Sequence, residues 1–169
     1  MSIYAFETPR LWLEKLTVED HLEDFHELWN HADAVLWSYV SLPPLPPFRF
    51  LRHSPSHLLQ IHSLKSIPRT QNVKETVEEA KELMLGQLLS LDNPDIDKFA
   101  ILLRPVEGNM QPWVNAKGRP KMIGMVGTNR FSDQGLETGY CINLKYWGKG
   151  YAGEGFKGFL DLFWTLPGE

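Results

Sequence analysis

The chain has one cysteine, Cys141, and that scarcity excludes both an intrachain disulfide framework and a zinc cluster built on several thiolates. A reducing compartment suits it, so the cytoplasm is the expected location. No run of eighteen apolar residues occurs, and the first residues, MSIYAFETPR, carry neither a basic leader nor an apolar signal core; neither a membrane span nor export is expected. Positive charge is not in surplus either. Seventeen Lys and Arg stand against 21 Asp and Glu, −4 overall with the signs mixed, which offers no basic stripe for tracking phosphates and argues against nucleic-acid binding. Acid is missing from one stretch altogether: Pro43 to Arg69 holds six of the twelve prolines, three histidines and four basic residues. Proline at that density breaks regular elements, so residues 43–69 read as an irregular insertion. What remains, in 169 residues with 43% hydrophobic content, is enough for one domain with a buried core.

Arg10 to Leu16, RLWLEKL, alternates and reads as a first strand. Thr17 with Asp20 is a weak capping pair, and Leu22, Phe25, Leu28 and Trp29 follow at helical spacing, giving a helix that ends near Asn30. Beyond the insertion, Asn72 with Glu75 predicts the start of a second helix, with Val77, Ala80, Met84 and Leu88 on one face and its end near Ser90. Phe99 to Leu103 and Met122 to Phe131 read as buried strands. Ser132 to Gly135, SDQG, has hairpin-turn chemistry, so Leu136 to Asn143 is expected to pair antiparallel with the strand before it. A last helix follows, its inward face expected at Ala152, Phe156, Phe159, Leu160 and Phe163. Strand, helices, three strands and helix make an α+β layer, and no internal repeat is visible.

The last helix is preceded and entered by glycines at 148, 150, 153, 155 and 158, in YWGKGYAGEGFKGFLDLFW. A helix start leaves backbone N–H groups unpaired with the positive end of the dipole behind them, and glycine lets a phosphate come close. Three phosphate-binding patterns compete. Gly148, Gly150 and Gly153 satisfy the dinucleotide spacing, but that fingerprint needs a further strand and an acid about 20 residues on, and sixteen residues follow Gly153. A Walker loop needs Ser or Thr after its lysine, where Lys149 is followed by Gly150. The third is the acyl-coenzyme A loop, which needs neither metal nor a signature lysine.

At this point LETGYCINLKYWGKGYAGE resembles the core motif of the GNAT N-acetyltransferases, most closely the branch that acetylates the N-terminal amines of ribosomal proteins. TPRLWLEKLTVEDHLEDFHELWNHADAVLW resembles that branch's first strand and helix, and Met122 to Arg130 its strand before the turn; Pro43 to Arg69 falls outside. The resemblance implies a GNAT-like, mostly antiparallel sheet flanked by helices, and acetyl-CoA as co-substrate with an amine acceptor, protein or small molecule, and no metal. It places the pantetheine arm on the exposed backbone of Ile142, Asn143 and Leu144, and the pyrophosphate on the N–H groups of Gly148, Lys149, Gly150, Tyr151 and Ala152. Trp147 stands where the family commonly has Gln or Arg, so one electrostatic contribution is absent there. Glu137 takes the position of a carboxylate base, Trp37 and Tyr39 that of the acceptor wall, and a backbone N–H near Asn143 or Leu144 that of the oxyanion donor.

Plainer readings stand beside these. Glu137 equally suits a solvated strand start, and Cys141 a small buried residue rather than a nucleophile. His53, His57 and His62 are interrupted by Pro55 and suit a solvated loop better than a metal site. In the family a strand, helix and strand follow the last helix, whereas here the chain stops at Glu169. The expectation is therefore a sheet lacking that C-terminal part, with an open edge on the strand of Glu137 where a second copy or another chain could pair. Two functions follow: an acetyltransferase, weakened or inactive through truncation, or a non-catalytic interaction module using the open edge or the Pro-rich segment.

Overall fold

The computed structural model describes residues 4–31, 73–91 and 93–165. Asn72, Trp37, Tyr39 and the segment 43–69, with His53, His57 and His62, lie outside them. Five strands form one sheet in chain order, each antiparallel to the next: β1 (Phe6–Glu7), β2 (Leu11–Lys15), β3 (Lys98–Leu103), β4 (Met122–Ser132) and β5 (Gly135–Ile142). Three helices flank it: α1 (Val18–Trp29), α2 (Val77–Leu85) and α3 (Tyr151–Phe163). The α+β, GNAT-like layer expected from the sequence is the observed architecture.

Alternation along the strands divides the core in two. Leu11, Leu13, Phe99, Ile101, Leu103 and Val126 face α3, where they meet Tyr151, Phe159 and Leu162. Ala100, Leu102, Met122 and Met125 face the other way and meet Phe25, Leu28 and Trp29 of α1 with Ala80 and Met84 of α2. Period-two side chains on the strands thus give each face its own helical cover.

Two expectations about helices are corrected. The second helix begins at Val77, not after Asn72, and ends before Gly86 rather than at Ser90. Thr76 accepts from Glu79 N–H at 3.2 Å while the Glu79 carboxylate accepts from Glu75 N–H at 2.9 Å, a capping arrangement that satisfies the start of the helix locally. On α3 the buried line is Tyr151, Gly155, Gly158, Phe159 and Leu162, and Ala152, Phe156, Leu160 and Phe163 pack around its margins. Two glycines set that rotation. A Cβ at Gly155 would stand 2.9 Å from Ile101 Cδ1, and one at Gly158 2.8 Å from Thr8 Cγ2, so the helix lies too close to the sheet for larger residues there.

A buried ionic network holds α1 to the sheet. Lys121, before β4, pairs with Asp24 at 2.6 Å and with Glu27, and Glu27 also takes Lys145 at 2.6 Å from the 3-10 turn Leu144–Tyr146. Asp24 in turn accepts from Met122 N–H at 3.0 Å. Burial pushes the Glu27 carboxyl up, but hydrogen bonds and charge from Lys121 and Lys145 outweigh it and hold it at about 2. One acidic residue of α1 therefore fixes both the strand start and the turn leading to the glycine segment.

Candidate active site

After Tyr146 the chain runs through Trp147, Gly148, Lys149 and Gly150 into α3. Gly148 (φ 73°) and Gly150 (φ 80°) are left-handed, a conformation that costs other L-residues roughly 1–2 kcal/mol. Gly150 is the N-cap and brings no side chain to satisfy the helix start. The N–H groups of Tyr151, Ala152 and Gly153 precede the first helical bond, which runs from Glu154 N–H to Gly150 O at 3.1 Å, and they carry the positive end of the dipole. A Cβ at Gly148 would meet nothing within 4 Å, so the way to this backbone is open. Unpaired N–H groups at a helix start suit an anionic phosphate group; among the described residues no group of three or more His, Cys, Asp or Glu is placed to hold a metal ion.

A clamp invisible in the sequence order fixes the loop. Arg10, just before β2, donates through Nε to Glu154 Oε2 at 2.7 Å and through Nη1 to Lys149 O at 3.0 Å. Its guanidinium also stands over the Tyr151 ring, 4.8 Å from the centroid. Glu154 Oε1 accepts from Arg10 N–H at 2.8 Å and from the Thr8 hydroxyl at 2.6 Å. Burial pushes the Glu154 carboxyl up, but the hydrogen bonds from Thr8 and Arg10 prevail and hold it below the usual range. The acid of the first helical turn is thereby turned away from the loop, and its N–H groups keep their positive field. Tyr151 itself is buried, its hydroxyl donating to Asn109 Oδ1 at 3.0 Å.

The three residues expected to offer exposed backbone behave differently from one another. Asn143 is buried, its N–H donates to Ile123 O at 2.8 Å and its carbonyl accepts from Tyr146 N–H at 2.8 Å. Both backbone groups of Asn143 are thus paired within the chain. Ile142 O accepts from Trp147 Nε1–H at 2.6 Å, so the tryptophan standing at the Gln or Arg position caps the end of β5. Leu144 opens the 3-10 turn; a first residue has no acceptor for its N–H within the turn.

A cleft of about 1000 Å³ runs around the outer edge of β5. Trp147, Gly148, Gly150, Tyr151 and Ala152 line one end, and Lys98, Asn129, Arg130, Glu137 and Gly139 line the other, with Trp29, Gln87 and Cys141 beside them. Glu137, Gly139 and Cys141 alternate onto the face covered by α1 and α2, while Tyr140 turns to the α3 face and packs at a tilt against Phe156 with centroids 5.5 Å apart. Residues of both faces thus meet around one strand, and no further strand pairs with β5 among the described residues.

Glu137 reaches this cleft as an ion pair, with Arg130 Nε 2.9 Å from Oε2 and Nη2 3.1 Å from Oε1. Each carboxylate oxygen takes one of these bonds and keeps a second lone pair for a donor in the cleft. Burial pushes the Cys141 thiol up to about 11, against the lowering pull of Lys98, so it is a protonated wall residue and no nucleophile. Lys98, Arg10 and Glu154 are the polar residues that sequence reading left without a role. Only Glu154 carried a signal, as the acid closing the Trp-Gly-Lys-Gly-Tyr-Ala-x-Glu string.

A family model described as an acetyltransferase (GNAT) domain matches residues 48–168. That span takes in all of β3, β4, β5 and α3 with the glycine loop, begins within the Pro-rich segment, and leaves out β1, β2 and α1. A search of curated proteins finds no significant match. The matched span covers more than half of the chain, and with the loop, the β5 edge and the cleft it places this chain in the GNAT acetyltransferase family.

Proposed function

We propose that this protein is an acetyl-CoA-dependent N-acetyltransferase acting on a primary amine, a protein N-terminus or a small molecule, in the cytoplasm. The observation that carries the reading is the glycine loop: unpaired N–H groups at the start of α3 stand at one end of a cleft that follows the β5 edge. Acetyl-CoA would lay its pyrophosphate on Gly148 to Ala152 and its pantetheine arm along Leu144 and the end of β5. The thioester would then lie along β5, between the loop and Glu137. The acceptor loses a proton to Glu137, directly or through one water, and its neutral nitrogen attacks the thioester carbonyl. A C–N bond forms and the C–S bond breaks. Coenzyme A leaves as the thiolate and takes up a proton, while Leu144 N–H stabilises the carbonyl oxygen as it gains charge. Steady-state release of coenzyme A thiol, measured across a panel of amines and peptides, tests this. Acetyl-CoA binding with thiol release that depends on an added amine supports it, and folded protein that binds acetyl-CoA but acetylates no amine counts against catalysis.

One observation favours a second reading. The outer edge of β5 has no partner strand among the described residues, and Phe131 and Tyr140 of the β4–β5 hairpin are 67% and 54% exposed. A non-catalytic module would use that edge to pair with a second copy or another chain. It predicts partner-dependent stability and no turnover.

A further inference from the structure

Two lysines are buried on the face that α1 and α2 cover, and their surroundings differ. Lys121 is 8% exposed and has Asp24 and Glu27 as partners; burial pushes its pKa down, but those two carboxylates outweigh it and raise it. Lys98, the first residue of β3, is 6% exposed, and no carboxylate pairs with it among the described residues. Its Nζ donates to the side-chain oxygen of Asn129 and to no other group among the described residues. Burial lowers its pKa to about 8, with a small opposing effect from Cys141. A buried cation without a counter-ion is costly, and such a group is retained where a ligand supplies the missing charge.

Its neighbours show which ligand fits. Lys98, Gly127 and Gly139 stand side by side across three strands, so the row itself sets no side chain between Lys98 and the β5 edge, and the Asn129 amide spans that space. Gly127 has to be bare, since a Cβ there would come within 2.0 Å of Asp97 O. Asn129 Nδ2 stands 3.2 Å from where a Cβ of Gly139 would be and is a further donor over that floor. Trp29, 3% exposed, lines the same cleft, and its buried Nε1–H has no hydrogen-bond partner among the described residues. An ammonium, an indole N–H and an amide NH₂ are three donors, one of them charged, and the Gln87 side-chain oxygen, which also lines the cleft, is an acceptor without a partner among the described residues. Glu137 lies on the same strand face as Gly139, toward the hairpin. The cleft therefore offers a lysine at its inner wall and, at its rim, a carboxylate paired with Arg130.

We propose that Lys98, with Trp29 Nε1 and Asn129 Nδ2, forms a carboxylate site, and that the acceptor is an amine whose side chain ends in a carboxylate, the α-carboxylate not being the group read. The carboxylate sits against Lys98 and the amine faces Glu137 and the β5 edge. Free aspartate or glutamate and a peptide beginning with Asp or Glu share that chemistry. This inference rests on the acetyl-transfer reading, and the test separates the two.

The test compares kcat/KM for four acceptors, glutamate, glutamine and two short peptides beginning with Glu or Gln, in the full chain and in Lys98→Met and Asn129→Asp. The wild type should favour the carboxylate member of one pair by tenfold or more, chiefly through KM, and which pair shows it distinguishes a free amino acid from an N-terminus. Lys98→Met should bring the ratio close to one, while acetyl-CoA titrates as in the wild type. Should Lys98→Met fail to fold, Asn129→Asp decides, because it supplies the missing carboxylate internally at an exposed residue and should also erase the preference. A preference that survives both changes, or one that never existed, overturns the proposal. If no amine is acetylated, calorimetric titration of the acetyl-CoA-loaded protein with glutamate still judges the site: binding lost in the variants supports it, and absent or unchanged binding overturns it.

Discussion

The two ends of the cleft are made in different ways. At the α3 end the groups proposed to bind are backbone N–H groups, shaped by Gly148 and Gly150 and held by the Arg10–Glu154 clamp. At the β3 end they are side chains brought together from three strands and α1: Lys98, Asn129, Glu137 and Trp29. A backbone site depends on conformation, so it tolerates any side chain that leaves the loop's shape and approach free. The side-chain site depends on charge and register, so single isosteric changes should alter it while leaving the loop untouched.

That contrast can be broken most sharply at Glu137. Glu137→Gln should lower kcat roughly hundredfold, the scale of general-base loss, with acetyl-CoA affinity unchanged; a matching loss of affinity would show that the ends are not independent. Gly150→Val should weaken acetyl-CoA binding by about tenfold or more, equivalent to roughly 1.4 kcal/mol, by obstructing the approach to the helix start and straining φ. Circular dichroism should remain that of the wild type, since the nearest atom to a Cβ there is Arg10 Nη2 at 3.4 Å. Glu154→Gln should cost roughly 1–2 kcal/mol of stability, seen as a lower Tm, with a few-fold weaker acetyl-CoA binding as Arg10 loses its anchor.

The smallest functional effect is expected from the network outside both ends. Glu27 is held at about 2, below its ordinary value of 4.5, so its contribution is fully present above about pH 4.5 and is lost as pH falls toward 2. Thermal melts of the wild type and Glu27→Gln should differ in Tm at pH 6 and converge toward pH 2, with acetyl-CoA affinity at neutral pH little changed.

What could be read from sequence followed the same division. The β4–β5 hairpin was legible because SDQG is a local signal, and the glycine loop because backbone conformation leaves its mark in neighbouring residues. Local competition displaced the start of α2: Asn72 and Glu75 carried one capping pattern, Thr76 and Glu79 another, and the second makes the observed bonds. The buried line of α3 was misplaced because hydrophobic spacing points to phenylalanines, whereas Gly155 and Gly158 face the sheet to let the helix approach. Lys98 left no trace, since a charged residue opening a strand reads as solvated, and only the register with Gly127 and Gly139 puts it on a cleft floor. The clamp joins residues 144 positions apart, beyond any local pattern.

The most direct test of the central claim is calorimetric titration of the full chain with acetyl-CoA, with ADP and NAD as controls and Gly150→Val alongside. Selective one-site binding of acetyl-CoA, weakened about tenfold or more in the variant, is the predicted result. A folded protein that ignores acetyl-CoA, or that binds ADP and NAD equally well, would contradict the placement of the acetyl donor on the glycine loop.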